Sequence, residues 1–318
     1  MGNIFRYLMP ALLSGSPAFA VEPFAAIPLP GAAASFDFMA ADPGLDRVLA
    51  AHRDARTLEI VDLKTGKALK PVSVGAAQGV AVNAAEHMYY VGNEADKNVV
   101  AIDARTFAIK GKTKVDGPVD AIAFDPTNSR IYAAEDDGKR VWVIDSKTME
   151  LVQVIDIPGV PEVLEYDAAT DRLYLNIKNK DVVVRIDPAT SRVDATWPVA
   201  PVTAPHGLAI DHEWALLLTV GSNGKLASLD LHTGKVIASA DVAPGVDQIA
   251  YDDNAKVVYG AAKGFLTSTK VEKTSLTSLP NIASPKGAHT VAVDSTRHEV
   301  WMCFKDAKHS YLQKFGHK

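Results

Sequence analysis

Short apolar runs, each closed by a polar turn, follow one another from Phe38 to the end of the chain. Within them apolar and polar positions alternate at the period of strands, not of helices. The run Val141-Trp142-Val143-Ile144-Asp145-Ser146-Lys147-Thr148 shows the pattern most plainly: an apolar strand that ends in an Asp-x-x-Thr turn. The same ending recurs at Asp62, Asp103, Asp187 and Asp230, each with Thr three residues on. Asp and Thr side chains there can bond the backbone just ahead and close the turn. One such turn is commonplace, but five at spacings of about 42 residues form a repeat.

A second register has the same period. Asp42, Asn83, Asp125, Asp167, Asp211, Asp252 and Asp294 each end a short apolar run, and seven residues beyond each lies Leu49, Tyr90, Tyr132, Tyr174, Leu218, Tyr259 or Trp301. The polar residue suits a tight turn, and the large side chain suits a half-buried second strand. Each unit therefore reads strand, turn, strand, turn, strand, Asp-x-x-Thr turn, strand. Unit six departs, with Lys270 in the Asp position and Thr274 one place late, so its turn is expected to differ.

Four antiparallel strands every 40–45 residues or so make a β-propeller blade. Seven units occupy residues 21–318 as a single all-β domain. The last unit ends at its third strand, Tyr311 to Phe315. The segment Phe24 to Pro30 resembles the fourth strands of other units and is displaced from any unit of its own. An N-terminal strand is therefore expected to complete the last blade and close the ring, pairing edges that would otherwise stay open.

Composition narrows the class. The chain has 318 residues, 47% of them apolar, enough for a large core, and its formal charge of −5 leaves no basic footprint for nucleic acid. Residues 1–20 read as a signal peptide, with Arg6 in the n-region, a short apolar stretch, and Ala18-Phe19-Ala20 as the cleavage site. No later run is long enough for a membrane span. Cys303 is the only cysteine, which excludes intrachain disulfides, thiolate zinc clusters and c-type haem attachment. An exported, periplasmic, monomeric protein is the expectation.

With its Tyr-bearing second strand, as in Tyr132-Ala133-Ala134-Glu135, and its Val-Ile-Asp third strand, the repeat resembles the YVTN propeller repeats of YncE-like bacterial proteins. The resemblance spans essentially the whole chain after the leader and is weakest in units one, five and six. It implies a seven-bladed, usually exported propeller but no single reaction, since such propellers serve as binding modules, partner subunits and occasionally enzymes. The Trp-Asp dipeptide of WD40 repeats is absent.

Function has to be sought in sites grafted on such a scaffold. The first strand of every blade lines the channel, and the residue five before each strand-ending Asp or Asn falls at one mouth. These are Asp37, Gln78, Asp120, Glu162, His206, Asp247 and His289, all polar. Two positions further in, all are apolar. The next position is alanine in six units and Glu165 in the fourth. This predicts a solvated funnel above a packed interior, with Glu165 as an acid inside the channel.

The leading expectation is a binding or scaffold module that engages a small ligand or a periplasmic protein partner at this ring. The alternative is a metal-dependent lyase or hydrolase. Here His206, Asp247 and His289, on consecutive blades, hold a divalent metal such as Zn²⁺, Mn²⁺ or Fe²⁺, with Glu162 or Asp120 opposite as general base. The metal is the only cofactor the ring suggests. The loops carrying His52, Arg53, Asn93, Glu94, Glu135, Asp136 and Lys178 are expected to form a polar rim on the same face.

Overall fold

The computed structural model describes residues 21–317, so the leader read at residues 1–20 lies outside the described residues. Seven four-stranded antiparallel sheets are arranged in a ring. Their inner strands are Met39–Asp42, Ala77–Asn83, Val119–Asp125, Pro161–Asp167, Pro205–Asp211, Ile249–Asp252 and Val291–Asp294, taken here as blades 1 to 7. Each packs against the next, and the strand of blade 7 packs against that of blade 1. Among the described residues the only helical segments are two short 3₁₀ turns, Pro43–Leu45 and Lys178–Lys180. No described helix is long and apolar enough to cross a membrane.

Both repeating polar positions do what their chemistry requires. Each strand-ending residue of the second register is buried. Each also accepts a hydrogen bond from the backbone N–H three residues on: Leu45 to Asp42, Glu86 to Asn83, Asn128 to Asp125, Thr170 to Asp167, Trp214 to Asp211, Ala255 to Asp252 and Arg297 to Asp294. In the other register Asp62, Asp103, Asp145 and Asp230 accept from the N–H of the Thr that follows, at 2.7–3.0 Å. These bonds hold the four carboxyl groups below the usual carboxylate range, while burial opposes them and is the largest influence at Asp230. In blade 6 the third and fourth strands instead meet in a two-residue hairpin, with Glu272 opposite Ser275. The fourth-strand bulge present in blades 2 to 5 is missing there, as the displaced Thr274 implied.

The second-strand aromatics are fully buried, not half-buried. Each blade has neighbours on both faces, so both sides of its middle strands are covered. Tyr132 packs with Leu173 and Leu175 of blade 4, and Tyr90 with Ile131 and Ala133 of blade 3. The core is therefore a set of apolar layers between blades.

The ring closes as expected, with the closing strand in two pieces. Glu22–Pro23 and Ile27–Pro28 both pair antiparallel with Ser310–Gly316, the third strand of blade 7. Val21 is buried against blades 6 and 7, and Leu29 against blades 7 and 1, so the segment seals both faces of its blade. A buried polar chain secures the seam. His52 Nδ1 lies 3.2 Å from Glu59 Oε1 and His52 Nε2 lies 2.9 Å from Ser310 Oγ, which also bonds the backbone of Ala34. Phe36 stacks on the imidazole at 4.1 Å. The spacing matches a Ser-His-acid triad, but all three side chains are sealed from solvent and the hydroxyl is engaged, so the group is a latch and not a nucleophile. His52 is thus removed from the polar rim where the sequence placed it. Asn93 and Glu135 are buried as well.

Candidate functional site

In blades 2 to 5 the register between first and second strands shifts at the ring position. Three residues of the inner strand span two of its partner, as from Ala77 to Val80 opposite Asn93 to Val91. Such bulges re-aim side chains. Here they carry Gln78, Asp120, Glu162 and His206. In blades 6, 7 and 1 the strand begins two residues after the ring position, so Asp247, His289 and Asp37 lie on the approach to it. Gly79 and Gly207 follow two ring residues where a Cβ would clash with the backbone of the next inner strand. A Cβ on Gly207 would sit 2.8 Å from the Ile249 nitrogen and 3.0 Å from the Asp247 carbonyl, so glycine is what lets His206 and Asp247 approach.

Four ring carboxyl groups face one another. Burial raises Asp37 and Asp120 well above the usual carboxylate range. Asp247 and Glu162 push Asp37 further, as Asp37 and Glu162 do Asp120. Burial also raises Glu162, against the pull of His206 and Lys178. Lys178 Nζ lies 2.5 Å from Glu162 Oε1. Asp136, also on the rim, is raised by burial and by Asp137 and Glu94, and Arg53 adds a second cation. The funnel therefore carries more carboxyl groups than cationic side chains.

One cluster within the ring brings together side chains of metal-ligand type. Glu162, His206 and Asp247 each offer a ligand atom, and these atoms lie within 4.8 Å of one another. His206 Nδ1 donates to the Ala204 carbonyl at 2.7 Å, which turns Nε2 toward Glu162, 3.9 Å away. Asn176, fully buried, donates to the His206 and Gly207 carbonyls at 2.7 and 3.0 Å and accepts from Thr219 Oγ1, fixing this backbone. The set differs from the expected His206, Asp247 and His289. His289 Nδ1 bonds the Gly287 carbonyl at 3.1 Å, and its ring does not join the cluster. Glu162 lies beside His206 and Asp247 rather than opposite them, and is tied to Lys178. Spacing along the chain gave each side chain's blade but not its reach.

Between the ring and the apolar layer lies a position that the repeat pattern alone does not mark as functional. This position is Gly79, Ala121, Val163, Gly207 and Thr290 in five blades, but Phe38 in blade 1 and Gln248 in blade 6. Phe38 packs against the clusters of Leu164 and Leu208 on the opposite side of the ring, so its side chain crosses the channel. Gln248 reaches past blade 7 to bond both backbone groups of Met39, at 3.1 and 2.9 Å, and also accepts from Thr290 Oγ1. Two large residues at an otherwise small position were the signal.

The interior below them is not packed. A chamber of about 600 Å³ follows the channel toward the opposite face, and Glu165 lines it, as the sequence placed it.

The chain matches no family model and no curated protein sequence. Its fold matches many solved structures. A chain of Kuenenia stuttgartiensis hydrazine synthase superposes with a TM-score of 0.77 at 14% identity, over 89% of this chain and 96% of that one. A chain of the mitotic checkpoint complex gives 0.78 at 14% identity, over 98% of each. The RRP9 WD40 repeats give 0.77 at 12% identity, over 93% and 99%. At such identities the likeness shows the fold alone, a seven-bladed β-propeller.

The funnel's charge has a consequence for stability. A carboxyl group whose folded pKa is raised binds its proton more tightly folded than unfolded, so stability falls as pH rises from the unfolded value near 4 through the folded one. Replacing Asp37 and Asp120 together by Asn is expected to raise the melting temperature by about 2–4 °C at neutral pH, with the gain absent below pH 4 or so. Calorimetric melts at the two pH values check this. Equal shifts at both would remove funnel repulsion as the cause.

Proposed function

We propose that this chain is an exported binding propeller of the YVTN type whose funnel takes a cationic group, either a small ligand or a basic side chain of a periplasmic protein partner. The observation that carries the reading is the convergence of Asp37, Asp120, Glu162 and Asp247 in one enclosed mouth, where burial and mutual repulsion raise the first three. A cation entering there relieves repulsion that the fold otherwise bears. The varied rim on a repeated scaffold is where specificity for the rest of the ligand would lie.

A second reading rests on the Glu162, His206 and Asp247 cluster. A divalent metal held there, with Lys178 displaced from Glu162, would act as a Lewis acid toward a lyase or hydrolase substrate, and the raised Asp120 would serve as the acid–base group.

The two readings separate by calorimetric titration of residues 21–318, purified without chelator, with Mn²⁺, with Zn²⁺, and with the peptides Gly-Lys-Gly and Gly-Arg-Gly. A peptide that binds and is weakened at least about tenfold by Asp120→Asn with Asp247→Asn supports the binding module. Near-stoichiometric metal that is lost in His206→Ala supports the enzyme and directs a substrate screen. Binding of neither overturns the funnel as a cation site.

A further inference from the structure

The chamber below Phe38 and Gln248 is distinct from the funnel in position and in chemistry. None of the seven ring residues lines it, and it opens among the inner turns at the other end of the channel, beside Pro43, His212, Asp253 and Asn254. Its volume, about 600 Å³, is that of sites for small organic ligands. Alanines at 40, 121, 209, 250 and 292 keep it open, since the inner strands carry short side chains where longer ones would fill the axis.

Glu165 is the one charged side chain in its wall, away from the mouth. No lysine or arginine lines the chamber, and Glu165 has no ion-pair or hydrogen-bond partner among the described residues. The other titratable groups along the lining are committed or at the mouth. Tyr166 and Tyr251 donate their hydroxyls to Asp171 and Asp211, His212 lies 3.1 Å from Asp167, and Asp253 is exposed at the opening.

We propose that this chamber binds a compact organic monocation, an amine with an apolar body, whose ammonium group pairs with Glu165 while its body contacts the alanine wall and the Phe38 ring. A divalent metal is not the fit, because a single carboxylate supplies too few ligands. An organic anion would meet Glu165 and Asp253 with no cation to receive it. The inference does not depend on the funnel reading. The charge of Glu165 agrees with it: burial alone pushes the carboxyl up to about 7, and a paired ammonium would hold it ionised.

The test is calorimetric titration with 2-phenylethylamine, using the neutral 3-phenylpropan-1-ol and the anion 3-phenylpropionate as controls. The amine alone is expected to bind, about tenfold more tightly near pH 8 than near pH 6, since Glu165 must ionise to receive it. Glu165→Gln, of the same shape, is expected to abolish amine binding while its thermal unfolding stays cooperative. Both titrations are run in the Asp120→Asn, Asp247→Asn background, so that a cation held in the funnel does not contribute, and Asp156→Asn on an exposed outer strand is the control expected to leave amine binding unchanged. If Glu165→Gln fails to fold, the pH ratio and the alcohol control in that background decide alone. No amine binding up to about 10 mM, or equal binding of amine and alcohol, overturns the proposal. So does binding that survives in Glu165→Gln.

Discussion

Removal of residues 21–30 is expected to lower the stability of the ring by roughly 5 kcal/mol and its melting temperature by about 10 °C or more. The segment buries Val21 on one face of blade 7 and Leu29 on the other, each 3% exposed. Full burial of side chains of this size is worth about 1.5–3 kcal/mol apiece. Backbone bonds from Phe24 N–H to the Lys314 carbonyl and from Leu29 N–H to the Ser310 carbonyl, both 2.9 Å, go with them, as does the Gln313 amide donating to the Phe24 carbonyl at 2.8 Å. Such bonds contribute about 0.5–1.5 kcal/mol each. The deletion also bares the edge of Ser310–Gly316, a template for intermolecular pairing. Thermal melts with light scattering check both effects. A monomer that melts within about 2 °C of the full domain would show that the seam latch of His52, Glu59 and Ser310 closes the ring by itself.

Asp211→Ala is expected to cost about 3–5 kcal/mol at neutral pH. Asp211 is buried and accepts from the Trp214 N–H at 2.7 Å, from the Tyr251 hydroxyl of the next blade, and from Lys256 Nζ at 3.1 Å. Truncation leaves the N–H and the hydroxyl unpaired inside the protein, while Lys256 keeps Glu213 at 2.8 Å. Burial pushes the Asp211 carboxyl up, but Tyr251, the Trp214 N–H and Lys256 together hold it below its ordinary value. The stability it contributes is therefore present above the unfolded carboxylate value, near 4, and is lost as pH falls through the folded one. This is opposite in sign to Asp37 and Asp120. Urea unfolding at pH 7 and near pH 3 should show the gap between wild type and variant narrowing on acidification. A gap that persists unchanged would assign the effect to packing and not to the ionised group.

The contrast between these acids marks how far the sequence alone carries. The repeat was legible because turns are local. An Asp at a strand end bonds the N–H three residues ahead whatever lies around it, so the period, the blade count and the altered turn of blade 6 could be read from residue spacing. The missing fourth strand of the last unit likewise pointed to an N-terminal closure, because an unpaired strand edge needs a partner. The membership of the polar ring followed from the same period. Glu165 could be placed in the channel because it breaks a run of alanines.

What the ring does was not legible, because it depends on side chains from different blades meeting across the channel. Only the tertiary structure brings Glu162 to His206 and Asp247, leaves His289 aside and ties Lys178 to Glu162. It alone buries His52 in a seam, carries Phe38 across the axis and ties Gln248 to Met39 above the chamber. Local hydrogen bonds fixed the repeat. Long-range packing, and the burial it imposes on each charge, decided which residues form a site.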